Sequence, residues 1–132
     1  MVPKRALEKL RAICLALPDA YEEEAWVGTR WMVRKKNFAH VLHIDGGRPP
    51  AYAKAAGNDG PVTVLTFRIP ALAFGMADGD PRFFSCIWGT RWQTKVMGMV
   101  IDRGVDWREI ASLVGESHRL LAPSKKRSPR AR

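Results

Sequence analysis

The run VTVLTF, Val62 to Phe67, constrains the fold more than any other segment of the chain. It is mostly β-branched or aromatic, the composition that fits a pleated, half-buried surface. It follows AGNDGP, Ala56 to Pro61, which is strong turn chemistry. A strand this apolar needs partners, and the flanking sequence offers them. Between Ala25 and Asp45 the pattern predicts two strands, with a tight turn at Lys36-Asn37. In the first, Trp31, Val33 and Lys35 share one side and Arg30, Met32, Arg34 and Lys36 the other. The second, Phe38 to Ile44, is apolar on both faces, as a central strand is. Tyr52 to Lys54 reads as a short extended piece. Phe83 to Trp88 and Gln93 to Ile101 read as two further strands, with turns at Gly89-Thr90 and Arg103-Gly104.

Helices bracket these strands. Leu7, Leu10, Cys14 and Leu17 recur at helical spacing between Pro3 and Leu17, and Pro18 stops the run. An acidic connector, Asp19 to Glu24, follows. Pro70 to Met76 reads as a short helix with proline in its first turn. Asp106 opens the last helix, and Glu109 sits where a capping box would place it. Trp107, Ile110, Val114 and Leu121 form that helix's buried stripe, widened by Leu113 and Leu120. The order predicts an α+β fold: an antiparallel sheet of about five strands, with the first and last helices on one face.

Charge divides the chain in two. The 132 residues carry 22 Lys and Arg against 13 Asp and Glu, a net of +9. Lys125, Lys126, Arg127, Arg130 and Arg132 fall within the last eleven residues, which hold no acid. The remaining 17 basic residues face all 13 acids, a net of +4. Residues 1–121 therefore read as one domain, and residues 122–132 as a disordered basic tail that cannot bury enough surface to fold. Such a tail attracts phosphate backbones, or simply keeps a protein soluble. No apolar run reaches the ~20 residues of a membrane helix, and the N-terminus lacks a signal-peptide core. Two cysteines are too few for a disulfide framework. A cytoplasmic location is the expectation.

Three stretches are similar to the MmcQ/YjbR family of small bacterial proteins. They are CLALPDAYEEEAW, RWMVRKKNFAHV and DWREIASLVGESHRLLAP. The likeness spans about Leu10 to Pro123, and YAKAAGNDGPVTVLTF resembles the version in actinobacterial members. It implies a curved antiparallel sheet flanked by helices, compared in that family with frataxin-like (CyaY-like) and secretion-chaperone-like domains. It also implies DNA binding through a double-wing arrangement. FFSCIWGTRWQTK, Phe83 to Lys95, stands where commoner members have a Pro-Gly-Tyr-His-like stretch followed by Lys-His-Trp, so a role of that Tyr or His does not carry over.

The candidate site residues are basic and aromatic. Arg34, Lys35 and Lys36 form a basic patch at a hairpin end. On a wing they would reach phosphates; as a solvated turn they would guard the edge against pairing. Trp88, Arg91, Trp92 and Lys95 interleave rings with charge, as proteins that stack bases do, although a tryptophan at a hairpin also caps a core. The tail adds its five cations. His40 and His43 lie three apart on a strand and so point to opposite faces, which argues against a metal site. Cys14 and Cys86 read as core residues, and His118 has no motif to make it a catalytic base. No cofactor loop or nucleophile motif is present, so a non-enzymatic role is expected. The leading reading is low-specificity nucleic-acid binding. The alternatives are a protein-interaction or chaperone-like module anchored by Trp31, Trp88 and Trp92, or a small-ligand domain.

Overall fold

The computed structural model describes residues 1–71, 80–86, 88, 91 and 93–122. The elements run α1 (Lys4–Leu15), β1 (Tyr21–Glu24), β2 (Thr29–Val33), β3 (Lys36–Ile44), α2 (Pro50–Ala56), β4 (Val62–Pro70), β5 (Phe83–Cys86), β6 (Thr94–Ile101) and α3 (Trp107–Leu121). The six strands form one antiparallel sheet in the order β1-β2-β3-β4-β6-β5. The fold is α+β with helices at both ends of the described chain, as the element order predicts. No helix among the described residues is long and apolar enough to cross a membrane.

The alternation along each strand sorts the core into two faces. On one, Trp31, Ala39, Val41, Leu65, Phe67, Met97 and Met99 meet Leu10 and Cys14 of α1 and Ile110, Val114 and Leu121 of α3. On the other, Leu42, Ile44 and Val64 meet Ala53 of α2, with Tyr52, Phe84 and Val100 around them. Gly98 is the close-approach point of this second face. A Cβ there would lie 2.2 Å from the Phe84 ring, so the strand passes beneath the phenyl group only as glycine. Cys14 and Cys86 are both free and buried. Burial raises both thiols, Cys86 to about 12, so neither is a nucleophile at neutral pH.

Several sequence expectations need correction. The acidic connector is strand β1, the sixth strand and one edge of the sheet. Its glutamates have partners: Glu22 accepts from Arg11 Nε and Nη2, each at 2.9 Å, and Glu23 accepts from Arg30 Nε at 2.7 Å. Charged side chains on an edge also discourage further strand addition. The hairpin turn lies at Arg34-Lys35 rather than Lys36-Asn37, because Val33 pairs with Lys36. The piece at Tyr52 is helix α2, with Pro50 in its first turn and Gly57 as a left-handed cap. Pro70 ends β4 instead of opening a helix, while residues 72–76 of that expected helix and the Gly89-Thr90 turn lie outside the described residues. Strand β5 ends at Cys86, short of Trp88. Helix α1 ends at Leu15 with Ala16 as its cap, two residues short of Leu17, where Pro18 is expected to close it.

Asp106 is the N-cap of α3, its Oδ1 accepting from the Arg108 N–H at 2.9 Å. Glu109 does not act as the expected box partner; its carboxylate accepts from Arg82 Nη1 at 2.8 Å. Asp106→Ala should cost about 1 kcal/mol, as lost caps typically do. A urea melt checks this, and an unchanged midpoint would mean that the helix start is held by other contacts.

Candidate nucleic-acid interface and the adjoining pocket

Two residues shape the end of the sheet where β2 turns into β3. Arg34 and Lys35 both have positive φ, 52° and 64°. With Val33 opposite Lys36 they form a two-residue turn of the type that needs left-handed backbone at both centres. Asn-Gly would be the unstrained choice there. Arg and Lys carry a cost of roughly 1–2 kcal/mol per residue in that region. Both side chains are exposed at the tip.

Just beyond the turn the sheet splits. Trp31 pairs with Ala39 but Met32 with Asn37, so Phe38 is the extra residue of a bulge. The bulge sends both Phe38 and Ala39 to the helix face and bends β3 away from β4, whose shared ladder ends at Ala39 and Phe67. Ser117 of α3 fills the split: its Oγ donates to the Phe38 carbonyl at 2.6 Å and accepts from the Arg68 N–H at 2.8 Å. Helix α3 thus ends at this end of the sheet. His118 is equally structural, since its Nε2 lies 2.8 Å from the Pro18 carbonyl and its ring meets Phe38 edge-on.

On the opposite face, the split opens a pocket of about 450 Å³ between α2 and the bare part of the sheet. Arg30, His40, Thr66 and Arg68 line its floor, Tyr52 and Trp88 one wall, and Trp26 its mouth. Trp26 is 100 % exposed. It sits in the β1–β2 turn, which is closed by the Ala25 N–H donating to the Gly28 carbonyl at 3.1 Å. Only glycine fits at 28, where φ is 78° and a Cβ would lie 2.0 Å from the Val41 oxygen. Arg68 is buried, and its Nη1 donates to Thr94 Oγ1 at 3.1 Å. Burial, and then the charge of Arg91, lower its pKa.

His40 holds the wall in place. Its Nε2 lies 2.6 Å from the Val27 carbonyl and so carries the proton, which leaves Nδ1 to accept from the Tyr52 hydroxyl at 3.3 Å. Tyr52 in turn meets Trp88 edge-to-face, with ring centroids 4.9 Å apart. Burial lowers the His40 pKa from 6.5. The folded chain therefore keeps a neutral ring over a range in which the unfolded chain binds a proton. Stability should be full above about pH 6.5 and fall as the pH drops through that value towards the folded pKa. His40→Gln should remove that part of the pH dependence. Denaturant melts between pH 5 and 7 check it, and parallel curves for both proteins would contradict it. His43 points to the other face, where its Nδ1 lies 3.1 Å from Thr63 Oγ1.

The expected site residues gather only in part. Arg34, Lys35 and Lys36 lie at the hairpin end, and Lys95 stands at the start of β6, opposite Ile69 of β4. Arg91 is exposed and close enough to Arg68 for its charge to act there. Trp88 belongs to the pocket wall. Trp92 and the tail cations Lys125, Lys126, Arg127, Arg130 and Arg132 lie outside the described residues. Trp31 is not an anchor for any partner, because it is fully buried between sheet and helices. Arg68 and Trp26 carry no signal in their local sequence; strand register and a tight turn bring them to the pocket.

A family model described as YjbR matches residues 15–120. The chain belongs to the YjbR family. Its fold is shared with a solved structure of a protein from Pseudomonas syringae, at 15 % identity and a TM-score of 0.61, covering 87 % of this chain and 96 % of that one. A comparison with curated proteins finds no match. In this YjbR chain the basic hairpin tip is one of the two turns flanking β2, and the pocket-mouth tryptophan occupies the other.

Proposed function

We propose that this YjbR chain binds nucleic acid through its phosphates, without catalysis and with little sequence preference. The carrying observation is the distribution of charge. Residues 25–44, 62–77 and 81–101, which supply β2 to β6 apart from α2 and its loops, contain no Asp or Glu. They contain Arg30, Arg34, Lys35, Lys36, Arg68, Arg82, Arg91 and Lys95. Of these, Arg34, Lys35, Lys36, Arg91 and Lys95 belong to the end of the sheet where α3 finishes. The five tail cations follow α3 directly in the chain. A basic excess of this kind attracts a phosphate backbone and steers its approach. The strained turn favours the same reading, since strain retained at an exposed tip is a common mark of a working surface.

Mobility shifts with duplex and single-stranded probes of unrelated sequence test the proposal. The expected result is binding to all of them at ~50 mM salt, with deletion of residues 123–132 weakening each alike. Absence of binding tighter than ~100 µM at that salt, the weak end of non-specific contact, would overturn it.

A further inference from the structure

We propose that the cavity where α1 and α3 begin takes a small amphipathic anion, with its apolar body over Ile101 and Trp107 and its acidic head at Arg5 and Arg103. The shared chemistry is an apolar group bearing one carboxylate or one phosphate. The cavity lies where β4 starts and β6 finishes, at the end of the sheet opposite the basic hairpin tip. The inference therefore does not rest on the nucleic-acid reading.

A step in side-chain size along α1 makes the space. Pro3, Ala6 and Leu10 follow one another at spacings of three and four, which places them on one face of the helix. Leu10 and Cys14 are fully buried, in one cluster with Ile110 and Val114 of α3. One turn earlier α1 brings only Ala6 and Pro3, and the sheet brings Thr63 of β4, paired with Ile101 of β6. Small side chains on both layers leave about 710 Å³ between them, with Trp107 of α3 in the wall. That volume falls in the ~300–1,000 Å³ range of small-molecule sites. The Thr63 hydroxyl is already engaged by His43 Nδ1 at 3.1 Å, so an apolar guest laid on it strands no polar group there. Trp107 packs on the core but is only half-buried, which leaves ring surface for a guest to cover.

The charged lining sets the sign of the occupant. Arg11, Arg30, Arg82 and Arg119 each pair with an acid. Arg5 and Arg103 line the cavity from different elements, and neither has an ion pair or side-chain hydrogen bond among the described residues. Asp102 is the acid of the described lining; its Oδ1 accepts from the Gly104 N–H at 2.8 Å, which holds it to the turn. Two cations against one acid disfavour a positive guest and favour an anion. Guanidinium groups offer planar donor forks that match carboxylate and phosphate oxygens. An apolar body adds buried area that a bare ion lacks, so the two halves of the guest are selected together.

Calorimetry of the full chain at ~100 mM salt tests this, since exposed charges more than ~10 Å apart are then largely screened. The probes are naphthylacetate, naphthyl phosphate, naphthylacetamide and acetate. At least one naphthyl acid should bind more tightly than ~1 mM, with the amide and acetate roughly tenfold weaker or worse. The tighter of the two acids identifies the head. Arg5→Gln and Arg103→Gln alter exposed side chains, so folding is not at stake. Each should weaken the acid roughly tenfold, the size of one charge-assisted hydrogen bond, and the double variant should bind acid and amide alike. Arg119→Gln removes the same charge ~18 Å further along α3 and should leave binding unchanged. The proposal is overturned if neither acid binds more tightly than ~1 mM, or if the amide binds as tightly as the acid. It is equally overturned if the double variant keeps the preference for the acid, or if Arg119→Gln weakens binding as much as Arg103→Gln.

Discussion

Trp31→Ala should destabilise the chain by about 3–5 kcal/mol, the usual cost of emptying an aromatic site in a core. Trp31 is fully buried on the helix face, where β2 meets α1 and α3. Its indole Nε1 also donates to Glu22 Oε1 at 2.9 Å, the same carboxylate that Arg11 of α1 grips. The Arg11 contact is the main cause of the lowered Glu22 pKa, with the Trp31 bond adding to it. Removal of the ring thus opens a cavity and loosens the junction of edge strand, sheet and first helix. Against a typical total of ~5–15 kcal/mol, such a loss leaves a marginal fold. Urea unfolding measures it. A change below ~1 kcal/mol would place the indole at the surface, where an anchor for a partner chain belongs.

The contrast between Trp31 and Trp26 shows what the sequence makes legible. Both are tryptophans in the same acid-free stretch, yet one is fully buried and the other fully exposed. Alternation along β2 places Trp31 beside Val33, so its burial follows once the sheet's faces are known. Trp26 stands two residues before Gly28, which has a positive φ and packs too closely on the Val41 oxygen for any Cβ, and nothing local announces that approach. The long strands and both terminal helices were readable, because each carries its apolar period over two or more turns or repeats. Strand β1 was not, since YEEE has no apolar alternation. Its pairing is secured by Arg11, Arg30 and Trp31, residues from elsewhere in the chain. Helix α2 did carry its signals, Pro50 at the start and Gly57 at the end, but seven residues are too few to show a period. Arg68 reads as an ordinary end-of-strand cation. Its place in a pocket depends on the Phe38 bulge and on Ser117, 49 residues further on.

The hairpin tip separates stability from function. Arg34→Asn with Lys35→Gly supplies the residues that the turn prefers, and should stabilise the fold by roughly 1 kcal/mol through relief of left-handed strain. The same change removes two cations from the proposed interface. A chain selected only to fold would gain from it; a chain that uses the tip to hold phosphates would lose.

A salt titration of duplex binding brings this to a decision. Each phosphate neutralised contributes ~0.9 to the slope of log K against log salt, and six to ten contacts imply a ~10³–10⁵-fold loss of affinity between ~50 and ~200 mM. The intact chain should show a steep slope of this order. Deletion of residues 123–132 should reduce the slope by up to ~4.5, and the Arg34→Asn/Lys35→Gly variant should reduce it by about 1.8 while melting at or above the parent temperature. Equal slopes for the hairpin variant and the parent, with the variant properly folded, would contradict the account, because the strained basic tip would then touch no phosphate.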